Sequence, residues 1–296
     1  MFELDWGDLP IETLQPVEPS PARLTLYQQS IRNLELPSVV WNQFQAATQS
    51  GASSHQLAEI IKTDPVLSAA VLKAANCGGM VLVEIVDVDR AIARIGHSMT
   101  RGIVARHAFG SPAANAGKVY DLKVLWKHGI AVSVLAEVIA RFIPDCDAHL
   151  AGTLGLFHDI GRMGFNLIPE FMQPATLDYE TGHLVYEQAR FSCSHVDMGR
   201  LVARHWQLPR TVEQGIELHH EPAYSDAATL PESIRAELLA VYLADLLAIR
   251  AGHGHEDAAI ALPHPSFAAM LSQPLAEIAN DRQVCMELDK LEHLEV

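Results

Sequence analysis

Leu156-Phe157-His158-Asp159-Ile160-Gly161-Arg162 sets an imidazole and a carboxylate side by side where an apolar run ends against glycine. The run begins near residue 147, and no polar–apolar alternation interrupts it, so it reads as a helix and not as a strand. Neighbouring side chains on a helix of 3.6 residues per turn diverge by about 100°. His158 and Asp159 could therefore serve one metal ion each, or the carboxylate could reach two.

The same helical grammar extends outward from this stretch. Towards the N-terminus, helices are expected over 24–34, stopped by Leu36-Pro37, over 40–48, and around Leu57, Ile60 and Ile61. Asp64-Pro65 is a helix start, because Asp can cap free amides and Pro suits the first helical position. That helix carries Leu67, Ala70, Val71 and Ala74 inward and ends near Asn76-Cys77-Gly78-Gly79. Two more span 87–95, closed by Gly96, and 98–109. The Pro- and Gly-containing segment 111–117 is the best internal boundary. Beyond it, helices are expected at 121–143, 147–158, 183–191, 194–206, 210–220 and 233–251, with a helical continuation from 267 towards 294. No strand pattern and no fixed repeat occurs. The expected fold is all-α, built as two packed helical lobes. The corresponding division is a mobile acidic tail over 1–19, a first lobe over 20–116, a second over 117–255 holding the candidate site, and a helical extension over 256–296.

Composition narrows the function. With 296 residues, 49% of them hydrophobic, the chain can bury a substantial core. A formal charge of −15 argues against binding a nucleic acid polymer or an anionic membrane, since both need clustered Lys and Arg. No apolar run reaches the ~18 residues of a membrane span. Residues 1–19 are acidic, the reverse of a secretory leader, so a cytoplasmic location is expected. Cys77, Cys146, Cys193 and Cys285 form no C-x-x-C pair and read as thiols of a reducing compartment.

Around His158 and Asp159 stand five further potential ligands: His128, His195, His219, His220 and Asp245. Five imidazoles and two carboxylates suit one or two divalent metals such as Fe, Mn, Ni, Co or Zn, for which mixed N/O ligation is typical. His128 and Asp245 lie on long apolar helices, where an unpaired polar group costs about 1–3 kcal/mol. A metal is one way to satisfy them, and a basic partner for Asp245 is another. Arg162, just beyond the pair, could hold a substrate phosphate bidentately. His55, His149, His253, His255, His264 and His293 read as surface or loop residues, and His205 as solvent-facing. Arg90, Arg94, Arg101 and Arg106, with His97 and His107 among them, form a basic constellation. It could dock a phosphate-bearing ligand or an acidic partner, although a solvated helix face is the simpler reading.

In the first lobe Leu36-Pro37, the run from Ile60-Ile61 to Asp64-Pro65 and Leu67, Leu72 with Ala75-Asn76, and Ala91-Ile92 with Ile95-Gly96 form an ordered motif series. In the second lobe the series continues with Trp126-Lys127-His128, Gly155 to Gly161, Trp206 with Leu208-Pro209, and His219-His220. Together these residues resemble the HDOD family, helical bacterial signalling domains related to the HD phosphohydrolases. The resemblance spans about residues 30–250 and implies that the second lobe is an HD-like helical bundle. His128, His158, Asp159, His195, His219, His220 and Asp245 fall in the order of the ligands in the HD-GYP branch, which hydrolyses cyclic dinucleotides at a two- or three-metal centre. The chain departs from that branch in lacking a Gly-Tyr-Pro triplet after Glu221-Pro222, and in carrying Arg162 where a lysine is usual. A guanidinium is a poor proton donor near neutrality.

Two functions follow from the resemblance. One is a signalling module that binds a protein partner or a small phosphate-bearing ligand. The other is a metal-dependent phosphohydrolase acting on a nucleotide or cyclic nucleotide, with Asp159 and Arg162 in its chemistry.

Overall fold

Leucine, isoleucine and valine at three- and four-residue spacing become helices along the chain, and no strand occurs among the described residues. The structure, a computed structural model, describes residues 20–32, 39–63, 65–76, 85, 87–109, 119–168, 183–206, 208–254 and 262–292. The stretch 1–19, Leu36-Pro37, Asp64, Cys77, the boundary segment 111–117, His255 and His293 lie outside the described residues.

Five helices precede that segment: α1 (Pro21–Ile31), α2 (Val39–Gln49), α3 (Ser54–Lys62), α4 (Pro65–Asn76) and α5 (Val88–Phe109). Eight follow: α6 (Leu122–Ile139), α7 (Ala148–Phe157), α8 (Gly161–Phe165), α9 (His183–Phe191), α10 (His195–His205), α11 (Arg210–Leu218), α12 (Glu221–Tyr224) and α13 (Arg235–Arg250). The C-terminal region adds α14 (Pro265–Ala268), α15 (Leu275–Ala279) and α16 (Arg282–Glu292). The fold is all-α. Helices α2 to α5 pack on one another, and α6, α7 and α13 form the centre of the second lobe, with α8, α10 and α11 around them. One continuous core joins the lobes where α5 meets α6.

Local chemistry sets several helix starts. Ser53 and Gln56 form a reciprocal capping box at α3, Ser194 and Asp197 another at α10, and Asp147 caps α7. Gly96 adopts φ 84° inside α5, a conformation open to glycine, so the expected break at Gly96 is a kink within one element. The helical continuation expected from 267 towards 294 is present in pieces. Pro274 and Asp281 each begin a new helix start, dividing the region into three short helices, of which α16 lies against α6.

Two contacts tie the first helices to the later half. α1 packs on α8 and α10, and the Tyr27 hydroxyl donates to the carbonyl of Phe191 at the end of α9. Trp41 of α2 meets Phe157 edge-on, ring centroids 5.6 Å apart, one residue before His158. Thus α1, although within the expected first lobe, rests on the helices that frame the candidate site. No helix among the described residues is long and apolar enough to cross a membrane. Cys146, Cys193 and Cys285 are free thiols, Cys193 fully buried.

Candidate metal centre

The centre is assembled at helix ends and on the two central helices. His128 lies in the first half of α6, and Asp245 in the middle of α13, whose residues are buried from Ala236 to Ala248. His158 ends α7 and Asp159 follows in the turn to α8. His195 opens α10, while His219 ends α11 and His220 precedes α12. One glycine lets α8 reach α10, and another lets α10 reach α11. A Cβ on Gly161 would meet the His195 carbonyl at 1.8 Å, and one on Gly199 would meet Ile216 at 2.5 Å. Only glycine allows Asp159 to stand next to His195.

All seven residues expected from the sequence converge. The ligating atoms of His128, His158 and Asp159 lie within 4.8 Å of one another, and so do those of His195, His219 and His220. Asp159 stands between the groups. Its Oδ1 is 3.2 Å from His195 Nε2 and 3.9 Å from His219 Nε2; its Oδ2 is 3.6 Å from His158 Nε2 and 3.8 Å from His128 Nε2. Asp245 Oδ1 joins the first group, 3.1 Å from His128 Nε2.

Hydrogen bonds behind the rings decide where the protons are. His128 Nδ1 is 2.8 Å from the His253 carbonyl, His158 Nδ1 2.7 Å from that of Gly155, and His219 Nδ1 2.8 Å from that of Ile216. A carbonyl only accepts, so each Nδ1 carries the hydrogen. His195 Nδ1 donates likewise to the Glu187 carboxylate at 2.7 Å. In the neutral rings, four Nε2 lone pairs therefore point into one space. His128 and His158 Nε2 are 3.2 Å apart, His195 and His219 3.3 Å, and His195 and His220 3.0 Å. Lone pairs at such distances repel unless a cation or a proton lies between them. While the His128 ring is neutral its Nε2 has no hydrogen to give, and Asp245 Oδ1 is then buried without a hydrogen-bond partner; only a protonated His128 would supply one across the 3.1 Å between them. Convergent lone pairs with an orphaned carboxylate oxygen are what a divalent metal site supplies, each ring held from behind by a carbonyl or carboxylate.

The local charges agree. Burial alone would raise the Asp159 carboxyl, but Arg162, His158 and His195 hold it well below the usual carboxylate range. Asp245 is also lowered, its burial outweighed by His128. Burial pushes His219 down to about 3, and lowers His220 and His158. His128 moves the other way: burial disfavours its charge, yet Asp245 and Asp159 raise it. Ionised carboxylates thus face the His219 and His220 rings, which burial keeps from charging.

Arg162 does not fit the expected phosphate clamp. It is 5% exposed and turned inward, with Nη1 2.9 Å from Asp159 Oδ2 and Nε 3.6 Å from Glu187 Oε1, its guanidinium over the Tyr120 ring. The guanidinium is thus paired with Asp159 through one nitrogen, while its Nε is buried and has Glu187 only at ion-pair distance. His253 lies in a loop, as one of its two expected readings had it, but it is buried and not at the surface. It is 6% exposed, and its carbonyl orients His128. His55 and His149 are exposed, as expected. The basic constellation is split: Arg90 and Arg94 are exposed, while Arg101 is buried and paired with Glu137. Glu187 was not among the expected residues, although a signal existed. It falls on the apolar stripe of α9 with Leu184 and Phe191, where a carboxylate must have partners.

The HDOD domain model matches residues 34–222. The chain belongs to the HDOD family. Its fold is similar to that of an HDOD domain protein of unknown function from Geobacter sulfurreducens, at 23% identity and TM-score 0.62, covering 92% of this chain and 94% of the other. It is also similar to a proposed signal transduction protein from Marinobacter aquaeolei VT8, at 16% identity and TM-score 0.67, over 93% of this chain and 65% of that one. A proposed metal-dependent phosphohydrolase from Shewanella amazonensis SB2B shares the fold at 17% identity and TM-score 0.55, with coverage of 92% and 96%. No curated protein matches the chain. At these identities the HDOD likeness speaks for the fold, and the site must be argued from its own residues.

Proposed function

We propose that this HDOD protein is a signalling module that holds one or two divalent cations through His128, His158, Asp159, His195, His219, His220 and Asp245. A phosphate-bearing ligand, or a protein partner that presents one, would be received at that centre. The observation that supports this reading is the convergence of four Nε2 lone pairs on the Asp159 carboxylate. Bound there, divalent cations supply a Lewis-acid anchor for a phosphate oxygen. The chain's own residues do the rest. Backbone carbonyls and Glu187 orient the rings, and Arg162 keeps Asp159 ionised. The N/O donor set suits Fe, Mn, Ni, Co or Zn.

Arg162 supports signalling over turnover. Where hydrolysis wants a proton donor or a phosphate clamp, this chain places a buried guanidinium already paired with Asp159. One observation favours hydrolysis as a second reading: Asp159 presents a different oxygen to each histidine group, which suits a two-metal centre.

Metal content per chain, measured on protein purified without tag or chelator, tests the first reading. One or two equivalents in the wild type and none in Asp159→Ala support it. No metal after anaerobic reconstitution with iron or manganese would overturn it. Assays with Mn²⁺ and Fe²⁺ across mono- and cyclic nucleotides then separate the two readings. Background rates leave a binding module, and turnover lost in Asp159→Ala makes the protein a phosphohydrolase.

A further inference from the structure

His195 differs from the other oriented histidines in how its ring must be held. His158 and His219 end their helices, and each gives its Nδ1 hydrogen to the carbonyl three residues earlier in its own turn. His195 is the first residue of α10, so no preceding turn exists to supply that carbonyl. Its backbone N–H is likewise one of the free donors at a helix start. Both needs are met by one oxygen. Glu187 Oε2 accepts from the His195 backbone N–H at 2.7 Å and from Nδ1 at 2.7 Å.

The other Glu187 oxygen faces away from His195. Oε1 accepts from the Tyr120 hydroxyl at 2.8 Å and pairs with Arg162 Nε at 3.6 Å. Tyr120 is itself anchored, since its backbone N–H donates to Asn166 Oδ1 and its carbonyl accepts from Asn166 Nδ2. Arg162 carries the connection on to Asp159 Oδ2 at 2.9 Å. Glu187 is fully buried, and these partners hold it in position.

We infer that Glu187 is the positioning residue of the centre, aiming the His195 lone pair directly and seating Asp159 through Arg162. The inference deepens the metal-centre reading and rests on it for its effect on cations. A charged acceptor makes a shorter, stronger hydrogen bond than a carbonyl and raises the basicity of the ring it holds. The position formed by His195, His219 and His220 therefore depends on Glu187 through its own ligand His195, whereas Glu187 reaches the His128 and His158 position only through Arg162 and Asp159.

The test uses the full chain with Glu187→Gln, Glu187→Leu and Tyr120→Phe, read in two ways. Cobalt(II) titrated against its visible absorption reports the cation positions. Glu187→Leu should weaken cobalt at the three-imidazole position by about 10–100-fold. Glu187→Gln, which keeps an acceptor but loses the charge, should recover part of that loss, and Tyr120→Phe should show the smallest change. Imidazole ¹H–¹⁵N spectra of the metal-free protein give the second readout. The His195 Nδ1–H signal should be downfield and slowly exchanging in the wild type, upfield and faster in Glu187→Gln, and absent in Glu187→Leu.

Cobalt affinity within about twofold of wild type together with an unchanged His195 signal in Glu187→Gln would overturn the inference, even if the melting temperature fell. If the wild type binds no cobalt, the metal-centre reading fails separately. The His195 signal then decides alone: a shift in Glu187→Gln upholds the positioning role, and no shift ends it. Should Glu187→Leu not fold, the other two variants carry both readouts.

Discussion

Arg101 and Arg162 are both buried arginines joined to carboxylates, one on α5 and one on α8. The first belongs to a closed network. Arg101 donates to Ser133 at 3.0 Å and to Glu137 at 2.7 Å, and the other Glu137 oxygen accepts from Ser98. One cation meets one anion, and the remaining neighbours are neutral donors. Around Arg162 the balance fails. Asp159 and Asp245 are both held ionised beside a single guanidinium, and the Nδ1 hydrogens of His128 and His158 point away from them to backbone carbonyls. A buried arginine marks structure when its acceptors are all answered. It marks a functional centre when acceptors remain.

Removing one carboxylate from each network gives the sharpest contrast. Asp159→Ala should lose all bound cation by elemental analysis and destabilise the protein by ~3–5 kcal/mol in urea, since Arg162 keeps only part of its pairing. Glu137→Ala should cost ~3–5 kcal/mol as well, because Arg101 is left unpaired, but cation content should stay at the wild-type value. Metal lost in both variants would erase the distinction. Gly161→Ala should come next. Its Cβ would strike the His195 carbonyl and push α8 from α10, costing ~1–3 kcal/mol and weakening cation binding without removing a ligand. A Gly161→Ala protein with wild-type affinity would show that the close approach is not what seats Asp159.

The smallest effect is expected at an ion pair that belongs to neither network. Glu213 pairs with Arg204 and Arg210, both largely exposed, so Glu213→Gln should change stability by only ~0–1 kcal/mol and leave cation content alone. Partial burial works against its charge, but hydrogen bonds from Arg210 and Arg204 hold its carboxyl below the ordinary 4.5. That contribution is present above pH 4.5 and is lost as pH falls below it, so the variant and the wild type should converge in acid. A difference that persists at low pH would mean that Glu213 acts through packing.

The helices and the seven candidate ligands were legible in the chain because periodicity and helix punctuation are local. His158-Asp159 and His219-His220 stand at helix ends marked by glycine or proline, and His128 and Asp245 interrupt apolar faces. What lies behind the ligands was not legible. The partner of His195 comes from another helix, and the acceptor for His128 is a backbone carbonyl that any residue at position 253 would provide. Arg162 turns inward onto Asp159 and towards Glu187, and the second of these, on another helix, was not visible from the chain. The C-terminal extension is helical as expected, and its division has a local cause visible in the chain, since Pro274 cannot continue a preceding helix.

The ligands are carried by α6, the end of α7, the start of α10, the junction of α11 and α12, and α13, with no more than two adjacent in the chain. An unfolded segment therefore offers a cation almost nothing to hold, in contrast to a zinc finger whose ligands are close in sequence. The ion should enter last, after the lobes have closed. Its signature in stopped-flow kinetics would be a folding rate indifferent to added metal and an unfolding rate that slows, making the cation a latch on a finished structure and not a nucleus for building it.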